Sequence, residues 1–264
     1  MSAFAAVAFG DDPGRWPLPA ATSPMDLWLR AVAAGGQGRY GSAFADLELI
    51  GRAQAHGPLA SLAFSARASF LRQLGGHDAA RTWDGRAWAV ASSDVAGSDV
   101  AAGTDALIGL AADALGVGRF ALSARLLGRA GDLLAGPAEG RLPIRLAWVS
   151  AELAMFSGDG PAAVGHAAVA VEAAGRWGSA RHSVKSQVVL AAALCSAGEV
   201  EGSRRVADAA LEATERLRLV PLSWALACLL ADIGSGVRSP SEMAAVRDGS
   251  AEVVRHRGGT WTAR

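Results

Sequence analysis

The chain has 264 residues, with 25 basic and 25 acidic residues and no net formal charge. That balance argues against direct contact with nucleic acid, which normally draws on a basic face. Hydrophobic residues make up 51% but aromatics only 6%, and much of the apolar content is alanine. This favours closely packed helices over sheets and sets the expected class as all-α.

In chain order, residues 1–22 carry Pro13, Pro17 and Pro19 and read as an irregular arm. They lack the basic segment that opens a secretory signal. First helices of successive hairpins are expected near 24–36, 58–74, 103–117, 143–157, 181–197 and 222–234. Second helices are expected near 39–55, 77–92, 119–135, 160–176, 199–218 and 240–256. His56-Gly57-Pro58, Gly136-Pro137 and Pro221 break the chain between hairpins. The polar stretch from Ser92 to Gly103 reads as a mobile loop or a kink, able to close a pocket. Residues 23–256 thus form one helical array, and 257–264 read as a frayed tail.

The array repeats. Turn glycines recur at Gly38, Gly75, Gly118, Gly158 and Gly198. Two residues on stand Tyr40, His77, Phe120, Gly160 and Val200, and most of these plug the open end of a hairpin. Five residues on stand Ala43, Ala80, Ser123, Ala163 and Ser203. Seven before each glycine stand Ala31, Ala68, Ala111, Ala151 and Ala191, and twelve after it Ile50, Ala87, Ala130, Ala170 and Ala210. Small residues at these columns are what two crossing helices need, and glycine ends a helix in the left-handed conformation without steric cost. A forty-residue step from Ala191 reaches Ala231, which points to a sixth, degenerate unit.

These columns resemble the tetratricopeptide-repeat (TPR) family, with Gly38, Tyr40 and Ala43 matching its Gly-x-Tyr-x-x-Ala turn. The resemblance covers roughly residues 24–217, and extends to 256 with the degenerate sixth unit, with a period near 40 rather than the family's about 34. It implies a right-handed superhelix of about five to six antiparallel helix-turn-helix (TPR-like) repeats, with the first helices lining a concave groove. By the family's pattern that groove holds Trp28, Ser65, Ser69, Arg72, Asp105, Arg145, Trp148, Glu152 and Lys185. Arg181 and His182 lie just before Lys185 on the same helix. Of these, Trp28, Arg72, Arg145, Trp148, Glu152, Arg181, His182 and Lys185 are the candidate binding residues. Tryptophans supply contact area and guanidinium groups orient a peptide carboxylate or another anion. A plainer reading also stands: Trp148 in the core, and Arg145 with Glu152 as a solvated or paired charge.

Other motifs lead nowhere. Gly36 to Gly41 matches GxGxxG, and Gly116 to Ala121 and Gly158 to Ala163 match GxGxxA, but each follows a helical run where a dinucleotide site needs a strand. No Walker A, zinc-protease, GxSxG or paired-cysteine motif is present, and Cys195 and Cys228 lack metal-ligand spacing. No stretch reaches the roughly 20 apolar residues of a membrane span. The expectation is a non-enzyme without cofactor or metal, holding a peptide or partner protein in the groove. The alternative is a small-molecule sensor with a groove pocket. No membrane partner is expected. A homodimer is open, because the last unit, with Trp224, Leu229 and Leu230, shows no obvious polar cap. Lys185 as the only lysine and the absence of asparagine suggest a GC-rich bacterial source, and the cytoplasm is the default location.

Overall fold

The computed structural model describes residues 2–93, 99–134 and 139–262. Much of the Ser92–Gly103 stretch and the Gly136-Pro137 break lie outside the described residues. The described residues form thirteen α-helices and no strand. A short α1 (Ala3–Phe9) precedes twelve helices that pack pairwise in chain order. The first pair is α2 (Pro24–Gly36) with α3 (Tyr40–Ala53), and the second α4 (Pro58–Gln73) with α5 (His77–Ala91). There follow α6 (Val100–Gly116) with α7 (Phe120–Leu133), and α8 (Arg141–Phe156) with α9 (Gly160–Trp177). The last two pairs are α10 (Ala180–Ser196) with α11 (Val200–Arg216), and α12 (Val220–Ile233) with α13 (Pro240–His256).

The turns are made as the glycine column requires. Gly38, Gly75, Gly118, Gly158 and Gly198 all have φ between 74° and 86°. After each, the next N–H reaches back to a carbonyl five residues earlier, as in Arg39 to Ala34 at 2.8 Å and Glu199 to Leu194 at 2.9 Å. This closes the helix end by satisfying a carbonyl that would otherwise be orphaned.

The small-residue columns are where the paired helices cross. Ala31, Ala68, Ala111, Ala151 and Ala191 are all fully buried, as are Ala43, Ala80, Ser123, Ala163 and Ser203. The close approach lets serine hydroxyls bond directly to a neighbouring backbone. Ser203 donates to the Ala191 carbonyl at 2.7 Å, Ser61 to that of Ala87 at 2.9 Å, and Ser186 to that of Ala170 at 3.2 Å.

The sixth pair exists, but its register differs from the expected one. Ala231 is exposed. The turn glycine is Gly234, at φ 81°, and the fully buried alanine seven residues before it is Ala227. A step shorter than forty carries the column to Ala227.

The first helices of neighbouring pairs touch one another in series, α2 on α4, α4 on α6, α6 on α8, α8 on α10 and α10 on α12. The second helices rest mainly on the first helices that flank them in sequence. The result is an inner layer of first helices and an outer layer of second helices.

Both ends of the chain depart from expectation. The arm is not irregular throughout: Ala3 to Phe9 is helical, capped by the Ser2 hydroxyl accepting from the Ala5 N–H at 3.2 Å. Its Phe4, Val7 and Ala8 are buried in one cluster with Trp28 and Leu29, and α1 sits against α2 and α10. Farther on, the Gln37 side-chain amide donates to the Pro13 and Arg15 carbonyls at 2.8 and 3.0 Å.

Nor is the tail frayed as far as residue 262. The Gly41 N–H donates to the Arg257 carbonyl at 2.9 Å, the Arg257 guanidinium to the Gln37 carbonyl at 2.7 Å, and the Thr262 N–H to the Leu74 carbonyl at 2.9 Å. Val254 joins the buried cluster of Tyr40 and Ile50, so the last pair meets the first. Trp224 packs against Trp261 with ring centres 4.5 Å apart and the rings tilted by 36°. Trp224, one of the apolar residues of the last unit, is thereby covered by the same chain.

Candidate functional site

The inner layer gathers an unusual amount of charge between helices. Arg72, in the last turn of α4, lies between two fully buried carboxylates. It contacts Asp84 of α5, bonds Asp113 of α6 at 2.7 Å, and donates to the Gly109 carbonyl at 3.2 Å. Gly109 makes this possible, since a Cβ there would collide with the Asp84 carboxylate. Burial alone would lower the Arg72 pKa, but the two carboxylates hold it above its ordinary value. Burial, opposed by Arg72 and reinforced by Asp113, pushes the Asp84 carboxyl up to about 7. Asp113 is shifted upward too, by burial. Two carboxylates so close to each other resist ionising together. Nearby His77 is held below its ordinary value by burial and by Arg72.

A second cluster lies on α6, α8 and α10. Arg141 and Arg145, four residues apart and so on one face of α8, both reach Asp105 of α6. Arg141 bonds it at 2.7 Å and Arg145 contacts its other oxygen. The Arg141 guanidinium also lies 5.7 Å over the Trp28 ring. Arg181, in the first turn of α10, has no carboxylate partner among the described residues. Its stem runs against Gly36, where a Cβ would meet Arg181 Cδ at 2.9 Å, and its guanidinium lies 5.9 Å from the Phe9 ring centre. Its Nε is enclosed and has no hydrogen-bond partner among the described residues. Burial pushes each of these three guanidinium groups down to about 10, with Arg72 adding to the effect at Arg145 and Arg141 at Arg181. All three stay charged at neutral pH.

An aromatic wall borders these cations. His182 stacks on Trp148 with centres 5.4 Å apart, meets Trp177 edge-on at 4.6 Å, and bonds the Ser179 hydroxyl through Nδ1 at 2.9 Å. Burial, then the charges of Arg181, Arg141 and Arg145, hold its pKa well below the ordinary range, so it is neutral. Phe9 from α1 packs at 5.6 Å from both Trp28 and Trp177 and at 6.0 Å from His182. Trp148 donates its indole N–H to the Ser186 hydroxyl at 2.9 Å.

The eight residues singled out from sequence all lie on first helices, yet their surroundings differ. Trp28 is buried, with its indole N–H donating to the Leu62 carbonyl at 3.2 Å. Arg72 is fully engaged with its two carboxylates. Arg145, Arg181, His182 and Trp148 share the second cluster. Lys185 and Glu152 form a partly exposed pair at 3.6 Å, with Lys185 5.8 Å over Trp148. Such a pair contributes little to stability.

Sequence reasoning missed Asp84, Asp113, Arg141, Phe9 and Trp177. Arg141 had a signal, standing one helical turn before Arg145. The rest arrive from other helices, and no local pattern announces them. The glycine fingerprints at 36–41, 116–121 and 158–163 all fall at turns between two helices. Among the described residues no group of three or more His, Cys, Asp or Glu could hold a metal, and no helix is long and apolar enough to cross a membrane. No protein-family model matches the chain, and no curated protein matches it.

Proposed function

We propose that the chain is a non-catalytic interaction module, a right-handed TPR-like superhelix of six helix pairs whose first helices hold a segment of a partner protein. One observation carries this reading: the protein already holds such a segment, its own. At the end of α1, Phe9 inserts its ring among Trp28, Trp177 and His182, and the next residue, Gly10, accepts a hydrogen bond from the Ala180 N–H at 3.0 Å. An aromatic anchor with a backbone hydrogen bond beside it is how a groove fixes both the area and the register of a bound chain. Past this point Trp148, Lys185 and Glu152 stay partly exposed and continue the surface.

The test is binding in trans. A fluorescent peptide of residues 2–16 is titrated against the full chain carrying Phe9→Ala, with circular dichroism to establish that the variant is folded. Saturable anisotropy is expected. Binding to the unaltered chain should be weaker by about 100-fold or more, because a tethered segment competes at roughly millimolar effective concentration. A flat titration against the folded variant would sink the reading.

A further inference from the structure

We propose that Arg141, Arg145 and Arg181 form a receptor for an oxyanion, which in the groove reading is the carboxylate of the bound segment. The inference deepens that reading and rests on it for the identity of the ligand. Its basis is a mismatch between donors and acceptors. A guanidinium presents five N–H donors and cannot shed its charge in a protein. Three such groups meet here with one carboxylate, Asp105, among their ion-pair partners. Arg181 has none, and its enclosed Nε is without a hydrogen-bond partner among the described residues.

The neighbouring groups cannot supply the missing charge. His182 is neutral, and Trp28, Trp148, Trp177 and Phe9 offer only π faces and edges. Asp84 and Asp113 are both ion-paired with Arg72, and of the three arginines Asp84 favours the charge on Arg145. Arg181 also stands in the first turn of α10, where the helix's own partial charge is positive. A cation placed there by chance would be expelled or paired. An incoming anion gains from both the guanidinium forks and the helix end. Arg141 and Arg145 keep 18% and 16% of their side-chain surface exposed, so the cluster is not sealed from solvent.

The experiment is a thermal melt of the full chain at constant ionic strength in sodium succinate, inorganic phosphate or chloride. At ten times its dissociation constant a bound anion should raise the melting temperature by about 3 °C over chloride. Arg181→Met should abolish that rise, and Arg181→Lys, which keeps the charge but not the fork, should retain only part of it. A larger response to succinate assigns a carboxylate ligand, and a larger response to phosphate assigns a phosphoryl group; either supports the receptor. Equal melting in all three salts overturns it, and so does an undiminished response in Arg181→Met. Trans-binding of the residue 2–16 peptide without any anion response would overturn the receptor while leaving the groove reading intact.

Discussion

Two arginine clusters sit side by side in the inner layer and are built on opposite principles. Among the described residues there are two carboxylates for one guanidinium around Arg72, and one carboxylate for three around Arg141, Arg145 and Arg181. A buried charge is tolerable when geometry and hydrogen bonds repay its desolvation, and costly when they do not. The first cluster ties α4, α5 and α6 together and leaves its guanidinium paired, although Asp84 Oδ1 and Asp113 Oδ2 have no hydrogen-bond partner among the described residues. The second is short of negative charge, and it borders the position where the chain's own arm enters. The contrast separates a charge kept for structure from a charge kept for something that arrives.

The largest expected effect tests the structural half. Arg72→Met strands Asp84 and Asp113 without their counter-ion and should cost about 3–5 kcal/mol of unfolding free energy. Urea denaturation followed by tryptophan fluorescence reads this directly. A loss below about 1 kcal/mol would show that the cluster does not hold the three helices together.

Next in size is a pH effect on the same cluster. Folding raises the Asp84 pKa to about 7 from an ordinary value near 4, so between those limits the folded state binds more protons than the unfolded one. Stability therefore falls as pH rises through that window, being fully favoured below about pH 4 and lost above about 7. Asp84→Asn removes the titrating group and leaves Arg72 a single partner, Asp113. Its urea midpoint should change less between pH 5 and pH 8 than that of the unaltered chain. Parallel profiles would mean that Asp84 is ionised throughout.

Much of the fold could be read from the chain, because the forces that set it are local. A left-handed turn selects glycine, and a close helix crossing selects alanine or serine. Both therefore leave periodic columns, and Ala31, Ala68, Ala111, Ala151 and Ala191 are all fully buried, whereas Phe120 and Val200, expected to plug the open ends of their hairpins, are exposed. Where the period shortens, the column reading slid to the exposed Ala231 in place of Ala227. The helicity of Ala3 to Phe9 stayed hidden because a seven-residue, wholly apolar segment owes its order to tertiary packing rather than to propensity. The return of residues 257–262 to the first two pairs joins sites nearly two hundred residues apart or more, and no local signal carries that. The candidate site behaves the same way. Positions on first helices could be named from the repeat, but which cation has a carboxylate depends on other helices.

A smaller effect probes how tightly the Arg72 cluster is built. Gly109→Ala places a methyl group where the Asp84 carboxylate now lies. Crowding of about 1–3 kcal/mol is offset by about 1 kcal/mol of alanine's helix propensity, for a net loss of up to about 2 kcal/mol. Gly128→Ala serves as the control, since a Cβ there meets nothing within 4 Å. It should be stabilising by some tenths of a kcal/mol up to about 1 kcal/mol. Equal effects from both substitutions would place the Asp84 carboxylate elsewhere.

The smallest expected effect has the opposite sign and decides the comparison. Removing Arg72 breaks a paired charge, whereas Arg181→Met removes a cation that has no ion-pair partner among the described residues and stands at a positive helix end. The thioether chain keeps most of the stem packed on Gly36 and Phe9. Its stability in chloride should be unchanged or higher by up to about 1 kcal/mol, since an apolar replacement of an uncompensated buried charge is neutral or favourable. The two substitutions are chemically the same, arginine to methionine, on neighbouring parts of one layer. If Arg181→Met costs as much as Arg72→Met, then Arg181 is structurally satisfied. The surplus of positive charge would then be a feature of packing, not of recognition.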